Sequence, residues 1–200
     1  MANVELTMAN LEKRGYRVSR FPDREAAAQY LVQELGNTHV GLGGSVTLQE
    51  MDLFPRLLAR GDVSWHQTQK EDGVREKANA APFYIMSANA VSEEGQIINI
   101  DARGNRVANM FFGHERVYVI IGINKIAPTA EMAMWRARNI ACPKNVRRLN
   151  HDVPCAQLDE LKCIDCDSPN RICRAFVTLE YRPFGIPHFE VVIVDEALGY

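Results

Sequence analysis

At 200 residues the chain is long enough for one domain with a hydrophobic core of its own. A net charge of -2, with 24% charged and 46% hydrophobic residues, is ordinary for a soluble protein and argues against nucleic acid or anionic membrane as a partner. No apolar run approaches the roughly 20 residues of a membrane helix, and residues 1–15 lack a signal-peptide core, so a cytoplasmic protein is expected.

Helical and extended patterns alternate along most of the chain. Apolar spacing predicts helices over 6–15, 23–35, 74–79 and 143–149, and further helices that begin at 47, 105 and 128. The helix from 47 should kink, or a new helix should begin, at Pro55, and the helix at 74–79 should lie on the surface. Pro128 is expected at the first helical position of its helix. Strands are predicted at 17–21, 38–42, 63–66, 83–87, 96–101, 116–123, 175–181 and 188–194. The β-branched run 116–123 should be a central parallel strand. These patterns indicate an α/β fold, with a mostly parallel sheet flanked by helices, in a single domain over 1–200.

A glycine loop follows the predicted strand 38–42. Gly43, Gly44 and Ser45 lead from that strand into a helix, an arrangement that lets backbone N–H groups converge on an anion. Thr47 and Glu50 have the spacing of a capping box, and Ser45 is the competing cap. The loop matches neither the Walker nor the dinucleotide-binding spacing, so a tight connection with nothing bound is the alternative.

Polar side chains also follow other predicted strands. Asn89, Asp101 and Lys125 each come after a strand, and ligands of open α/β sheets bind beyond the carboxyl ends of strands. Together with the glycine loop they are predicted to line one crevice. Lys125 could bind an anion or move a proton there, or be a solvated loop lysine, and Glu50 could be a carboxylate of the same crevice.

Two asparagines belong to the same predicted region. Asn99 stands inside an apolar strand, where its amide needs a partner, supplied by a ligand or by the backbone of a neighbouring loop. Asn105 is predicted to cap the next helix.

Cysteines crowd into the segment 151–174. Cys155, Cys163, Cys166 and Cys173 surround a C-x-x-C core that is suited to one metal, so a Zn site or an iron–sulfur cluster is predicted, with reduced unligated thiols as the alternative. The outer spacings match no standard zinc-finger or ferredoxin pattern. Upstream, basic residues are predicted to form a solvated face, without the aromatic residues of a nucleic-acid site: Arg136, Arg138, Lys144, Arg147 and Arg148.

Several segments together resemble the LUD (lactate-utilisation) domain family, and the resemblance extends over essentially the whole chain. They read SANAVSEEG (87–95), INID (98–101), GNRVA (104–108), GINKI (122–126), RARNIACP (136–143), CIDCDSPNRIC (163–173) and EALGY (196–200), the last two as in its cysteine-bearing branch. The resemblance implies a sugar-isomerase and CoA-transferase-like α/β fold, in which a glycine–serine/threonine loop commonly holds a phosphate or CoA-type substrate. It also implies a link to oxidation of lactate to pyruvate, alongside iron–sulfur partner proteins.

These observations predict a protein that binds a small anionic ligand, a phosphate, carboxylate or CoA-type molecule. Its role would be accessory or catalytic in lactate or related organic-acid oxidation. The ligand-binding residues would be Gly43, Gly44, Ser45, Thr47, Glu50, Asn89, Asn99, Asp101, Asn105 and Lys125. One alternative is a non-enzymatic subunit that docks onto an iron–sulfur partner through the cysteine segment. Another is a sugar-phosphate isomerase or transferase, against which Asn89 argues because some superfamily isomerases have an aspartate there.

Overall fold

Two sheets organise the protein in the computed structural model, which describes residues 2–200. The helices are α1 (Val4–Lys13), α2 (Arg24–Leu35), α3 (Val46–Glu50), α4 (Leu53–Leu58), α5 (Val74–Ala80), α6 (Asn105–Asn109), α7 (Ala130–Arg136) and α8 (Cys142–Arg148). The strands are β1 (Arg17–Phe21), β2 (Val40–Leu42), β3 (Val63–Ser64), β4 (Phe83–Ser87), β5 (Ala90–Ser92), β6 (Ile97–Asp101), β7 (Arg116–Gly122), β8 (Ile126–Ala127), β9 (Ala175–Leu179) and β10 (His188–Val194). A single π-helical turn, Ala137–Ala141, joins α7 to α8.

The larger sheet is entirely parallel and has the order β1-β10-β7-β4-β2-β3. Strand β7 lies near its middle, as the β-branched run predicts, because a strand covered on both faces can be apolar throughout. The prediction of an α/β fold with a mostly parallel sheet flanked by helices is confirmed.

Side chains of β7 alternate between two core layers. Tyr118 and Ile120 pack with the helices α2, α3 and α4, whereas Val119 and Ile121 pack toward α1 and the second sheet. That second sheet, β8-β5-β6-β9, is mixed: β6 runs antiparallel to both β5 and β9. It brings the end of β6 over the carboxyl edge of the larger sheet, where the candidate site lies.

Close backbone packing explains one glycine of the opening strand. A Cβ at Gly41 would collide with the main-chain carbonyl oxygen of Ala78 and lie 2.8 Å from the Tyr84 ring. Glycine is required here because α5 approaches β2 too closely for any side chain. Val74 and Ala78 of α5 are buried, so this helix has an apolar face that its polar sequence did not reveal.

Three predicted helix starts are wrong in detail. Ser45, not Thr47, caps α3 by accepting a hydrogen bond from the Leu48 N–H group, because Thr47 lies inside the helix and its hydroxyl group bonds to Lys125. Helix α7 is capped by Thr129, which leaves Pro128 outside it. The N-cap of α6 is Gly104, so Asn105 is the first helical residue and not the cap.

Among the helices of residues 2–200, none is long and apolar enough to cross a membrane. The cytoplasmic location and the single-domain boundary stay predictions.

Candidate functional site

The carboxyl ends of β2, β4 and β6 and the turn after β7 open onto one cavity of about 700 Å³. Its wall includes seven of the ten predicted ligand-binding residues: Gly44, Ser45, Thr47, Asn89, Asp101, Asn105 and Lys125. The predicted convergence of strand ends on one crevice is therefore what the structure shows. Binding of a ligand there stays a prediction.

The other three predicted residues lie outside the cavity wall. Asn99 is fully buried beneath it. Gly43 is buried behind the loop, where its N–H group donates to the Ile85 carbonyl oxygen at 2.8 Å. Glu50 is exposed, and its carboxylate accepts a 2.7 Å hydrogen bond from the Gly199 N–H group. These residues support the site from behind or beside it.

Asn99 finds its partners within the protein. Its Oδ1 atom accepts from the Asn89 N–H group at 3.1 Å and from Arg106 Nη1 at 3.2 Å. Asn89 Oδ1 in turn accepts from the Ile100 N–H group at 2.8 Å. The two asparagines thus tie β6 to the start of β5, which is the backbone partner that the sequence left as one alternative for Asn99.

Two backbone donors of the glycine loop are already in use. The Ser45 N–H group donates to Gln67 Oε1, and the Gly43 N–H group to Ile85. With only five residues in α3, a large helix dipole is also missing. An anion in this cavity would therefore depend mainly on side chains.

Lys125 is the central cation of the cavity. Its Nζ atom donates to Thr47 Oγ1 and Ser87 Oγ, both at 2.8 Å, and to the Ala88 carbonyl oxygen at 3.2 Å. Only 4% of the residue is exposed. Burial, and then the positive charges of Arg136 and Arg106, lower the pKa of Lys125 to about 7. The amine is therefore poised to gain a proton when negative charge comes near.

Two arginines accompany this lysine. Arg136 Nη1 donates to the Asn89 carbonyl oxygen at 2.6 Å, and its Nε atom to the Asn124 carbonyl oxygen at 2.9 Å. Burial lowers the pKa of Arg136 to about 10. Arg106 has a carboxylate near it, Asp101, at 3.9 Å. Arg136 Nη1 also donates to the Tyr200 main-chain oxygen at 3.2 Å. Among residues 2–200, no Asp or Glu side chain lies within ion-pair distance of Lys125 or Arg136.

Asp101 serves as the cap that was predicted for Asn105. Its Oδ2 atom accepts from the N–H groups of Arg106 at 3.0 Å and Val107 at 3.3 Å, and its Oδ1 atom from the Ala102 N–H group at 2.9 Å. The carboxylate thus satisfies free N–H groups at the start of α6. It is committed to structure although it lies in the cavity wall.

The wall as a whole is basic. Of the described residues in it, eight are lysine or arginine and one, Asp101, is acidic. The cations are Lys70, Arg75, Arg103, Arg106, Lys125, Arg148, Arg171 and Arg174. Burial, and then the charges of Arg75, Arg103 and Lys70, lower the pKa of His66, which lines the same wall. The field inside the cavity is therefore positive, although the net charge of the chain is negative.

Sequence reasoning misplaced Arg136. It was predicted on a solvated face, yet it is 8% exposed beneath the cavity. The carbonyl groups that accept its hydrogen bonds belong to residues far away in the chain, so the sequence around Arg136 does not reveal them. Arg138 is closer to the prediction, since it forms an exposed ion pair with Asp165 at 2.5 Å. Ser87 was missed, and its position as the last residue of β4 was the available signal.

The cysteines gather at a second cavity, of about 20 Å³, beside the first. All five are free thiols, and Cys142, Cys155, Cys163, Cys166 and Cys173 all line it. Over residues 2–200, no three His, Cys, Asp or Glu side chains stand close enough together to hold a metal ion as they are. Metal binding stays a prediction.

Comparison with known proteins gives a family match over nearly the whole chain. The family model described as LUD domain matches residues 4–194. Among solved structures, the fold is similar to that of a DUF162 family protein from Deinococcus radiodurans, with a TM-score of 0.55 and 14% sequence identity over 96% of this chain and 95% of that chain. At this identity the likeness shows a shared fold. No curated protein matches the chain.

Proposed function

Because the chain belongs to the LUD domain family, which is associated with lactate utilisation, we propose that its basic cavity binds a small anionic ligand. The ligand would be a carboxylate, a phosphate or a CoA-type molecule. The protein would act, as an accessory or a catalyst, in oxidation of lactate or a related organic acid.

One observation supports this proposal above the others: among residues 2–200, two buried cations have no Asp or Glu side chain at ion-pair distance. Burying a charge is costly unless an opposite charge compensates it. Lys125 lines the cavity, Arg136 is buried beneath it close enough for its charge to lower the pKa of Lys125, and Arg106 has only a distant carboxylate. A ligand anion would supply the missing negative charge and keep Lys125 protonated. A neutral ligand would leave that cost in place.

Hydroxyl and amide groups around Lys125 suit the oxygen atoms of such an anion. Ser45, Thr47 and Ser87 present hydroxyl groups to the cavity, and Asn89 presents an amide. The hydrogen bonds that Thr47 and Ser87 form with Lys125 and with each other can be exchanged for bonds to carboxylate or phosphate oxygens. The rim arginines would hold further negative charge of a larger ligand.

The isomerase alternative finds no free carboxylate base in this region. Proton transfer between carbons of a sugar phosphate needs a free base near the ligand. Asp101 is engaged as a helix cap, and Glu50 lies outside the cavity, bound to Gly199. Lys125 is then the group best placed to exchange a proton with a bound anion.

A ligand screen by thermal shift and calorimetry tests the proposal. The panel contains lactate, pyruvate, inorganic phosphate, a sugar phosphate and a CoA ester. A ligand at about 100 times its dissociation constant adds about 2.7 kcal/mol to the free energy of unfolding, which should raise the melting midpoint of a chain this size by about 5–10 °C. Turnover of lactate with an artificial electron acceptor would separate a catalytic from an accessory role.

Matched variants locate the binding. Lys125→Met should abolish the shift, whereas Lys13→Met, which removes an exposed lysine at the end of α1, should leave it intact. The proposal is wrong if no anion in the panel binds, or if Lys125→Met binds the anion as tightly as the parent.

A further inference from the structure

The segment 151–174 has little of its own to hold it in place. It contains one short 3₁₀ turn, Pro154–Ala156, and otherwise no helix or strand among the described residues. Its main apolar anchor is a cluster of three buried side chains, Val146, Val153 and Ile172. A segment with so small a core is ordered more readily when a covalent or metal link adds stability.

Four thiols of this segment converge although they are spread along the chain. Cys155, Cys163, Cys166 and Cys173 line one small cavity, and no disulfide joins them. Apolar side chains complete its wall, among them Ile164 and Phe176. The four cysteines are half-buried, and four protein ligands could fill every position of one metal ion there, as in closed structural metal sites.

Hydrogen bonds point at two of the sulfurs. Within the C-x-x-C loop, the Asp165 N–H group donates to Cys163 Sγ at 3.4 Å, and Asp165 has the left-handed φ of 49° that folds the loop back on the cysteine. Arg171 Nε donates to Cys173 Sγ at 3.1 Å, and Arg171 Nη1 to the Cys166 carbonyl oxygen at 2.8 Å. Such donors stabilise sulfur atoms that carry negative charge.

We propose that Cys155, Cys163, Cys166 and Cys173 bind a single tetrahedral metal ion, with Zn²⁺ as the natural occupant. Four thiolates with one divalent ion leave net negative charge, which Arg171 and Arg138 at the cavity wall offset. A cavity of about 20 Å³ has room for about one water-sized particle. As it stands the cavity is smaller than an iron–sulfur cluster of several atoms, which would require the four thiols to move apart. The sulfurs must move inward to reach the ion, which a segment without regular structure allows.

The ion would also order part of the anion cavity. Pro169, Asn170, Arg171, Ile172 and Arg174 follow the C-x-x-C loop and line the larger cavity. Arg171 lines both cavities. Metal binding in the segment would therefore hold one basic wall of the larger site in place. The metal site itself does not depend on the proposed anion binding.

Metal analysis of the whole chain tests the site directly. Protein purified under reducing conditions is stripped with a chelator and titrated with Zn²⁺ against a coloured competitor, and then with Co²⁺. We expect about one ion per chain, a dissociation constant at or below about 10⁻⁷ M, and the cobalt absorption of a tetrahedral thiolate site. Zn²⁺ should also slow proteolytic cleavage within residues 151–174, a readout that needs no substrate and no variant.

Two cysteine variants identify the ligands. Cys166→Ser should weaken Zn²⁺ binding by more than about tenfold, since even partners of metal ligands contribute about 10- to 100-fold. Cys142→Ala removes the fifth thiol, which belongs to α8, and should bind Zn²⁺ as the parent does. The inference fails if the parent does not bind Zn²⁺, if it holds iron with acid-labile sulfide, or if Cys142→Ala loses as much affinity as Cys166→Ser.

Discussion

Replacement of Lys125 by methionine should change how stability depends on pH. The fall of the Lys125 pKa from 10.5 to about 7 disfavours its charged form in the folded state. At about 1.4 kcal/mol for each pH unit, this costs about 5 kcal/mol at most. Because the unfolded chain binds the proton more tightly, the free energy of unfolding of the parent should rise from pH 7 to pH 10, by about 3 kcal/mol from this group. Lys125→Met lacks that rise.

Urea unfolding of the parent and of Lys125→Met at pH 7, 8, 9 and 10 measures the effect. The difference between the two free energies of unfolding removes the titration of other groups and the pH-independent loss of the lysine's hydrogen bonds. With rising pH, the free energy of unfolding of the parent should increase relative to that of Lys125→Met. Lys70→Met, which removes an exposed lysine from the rim, should show no such trend. A flat difference for Lys125→Met would mean that burial does not disfavour the ammonium, and the argument for a ligand anion would lose its basis.

Three further predictions concern the cavity and its support. Anion affinity should fall as pH rises above about 7, because Lys125 must take up a proton to meet the anion; calorimetry in two buffers of different ionisation enthalpy would detect that uptake. Asn99→Ala should lower the free energy of unfolding by about 1–2 kcal/mol, since Arg106 Nη1 loses a buried acceptor and the Asn89 N–H group keeps only the Ile98 carbonyl oxygen, and urea unfolding measures this; an unchanged stability would contradict the tie. Gly41→Ala should cost about 3 kcal/mol by the same method, because the added methyl group meets the Ala78 carbonyl oxygen, and a neutral effect would refute that close approach.

The convergence of strand ends was predictable from residues near one another in the chain. Parallel strands present their carboxyl ends at one edge, so residues that directly follow such strands must meet there. Thr47 and Lys125 are 78 positions apart and lie 2.8 Å from each other for this reason. The periodicity of the strands and the turn residues between them sufficed for that inference.

Side-chain partners from distant segments were not predictable in the same way. Asn99 could have faced a ligand or a loop, and only the pairing of β5 with β6 decides for the loop. Arg136 has the local pattern of an exposed helix residue, yet carbonyl groups of Asn89 and Asn124 bury it. A hydrogen-bond partner that is remote in sequence cannot be read from spacing.

The sequence by itself determined most of the order of helices and strands, though not the short strands β5 and β8, as well as the glycine loop at a strand end and the crowding of cysteines, because each depends on neighbours along the chain. The tertiary structure alone decided where the charges and sulfurs lie. Within residues 2–200, it removed Lys125 and Arg136 from water without an Asp or Glu side chain at ion-pair distance, and it drew thiols from 155 to 173 around one small cavity. Burial of a charge, and the absence of an opposite charge beside it, depend on tertiary packing, since they arise only when segments far apart in the chain together exclude water.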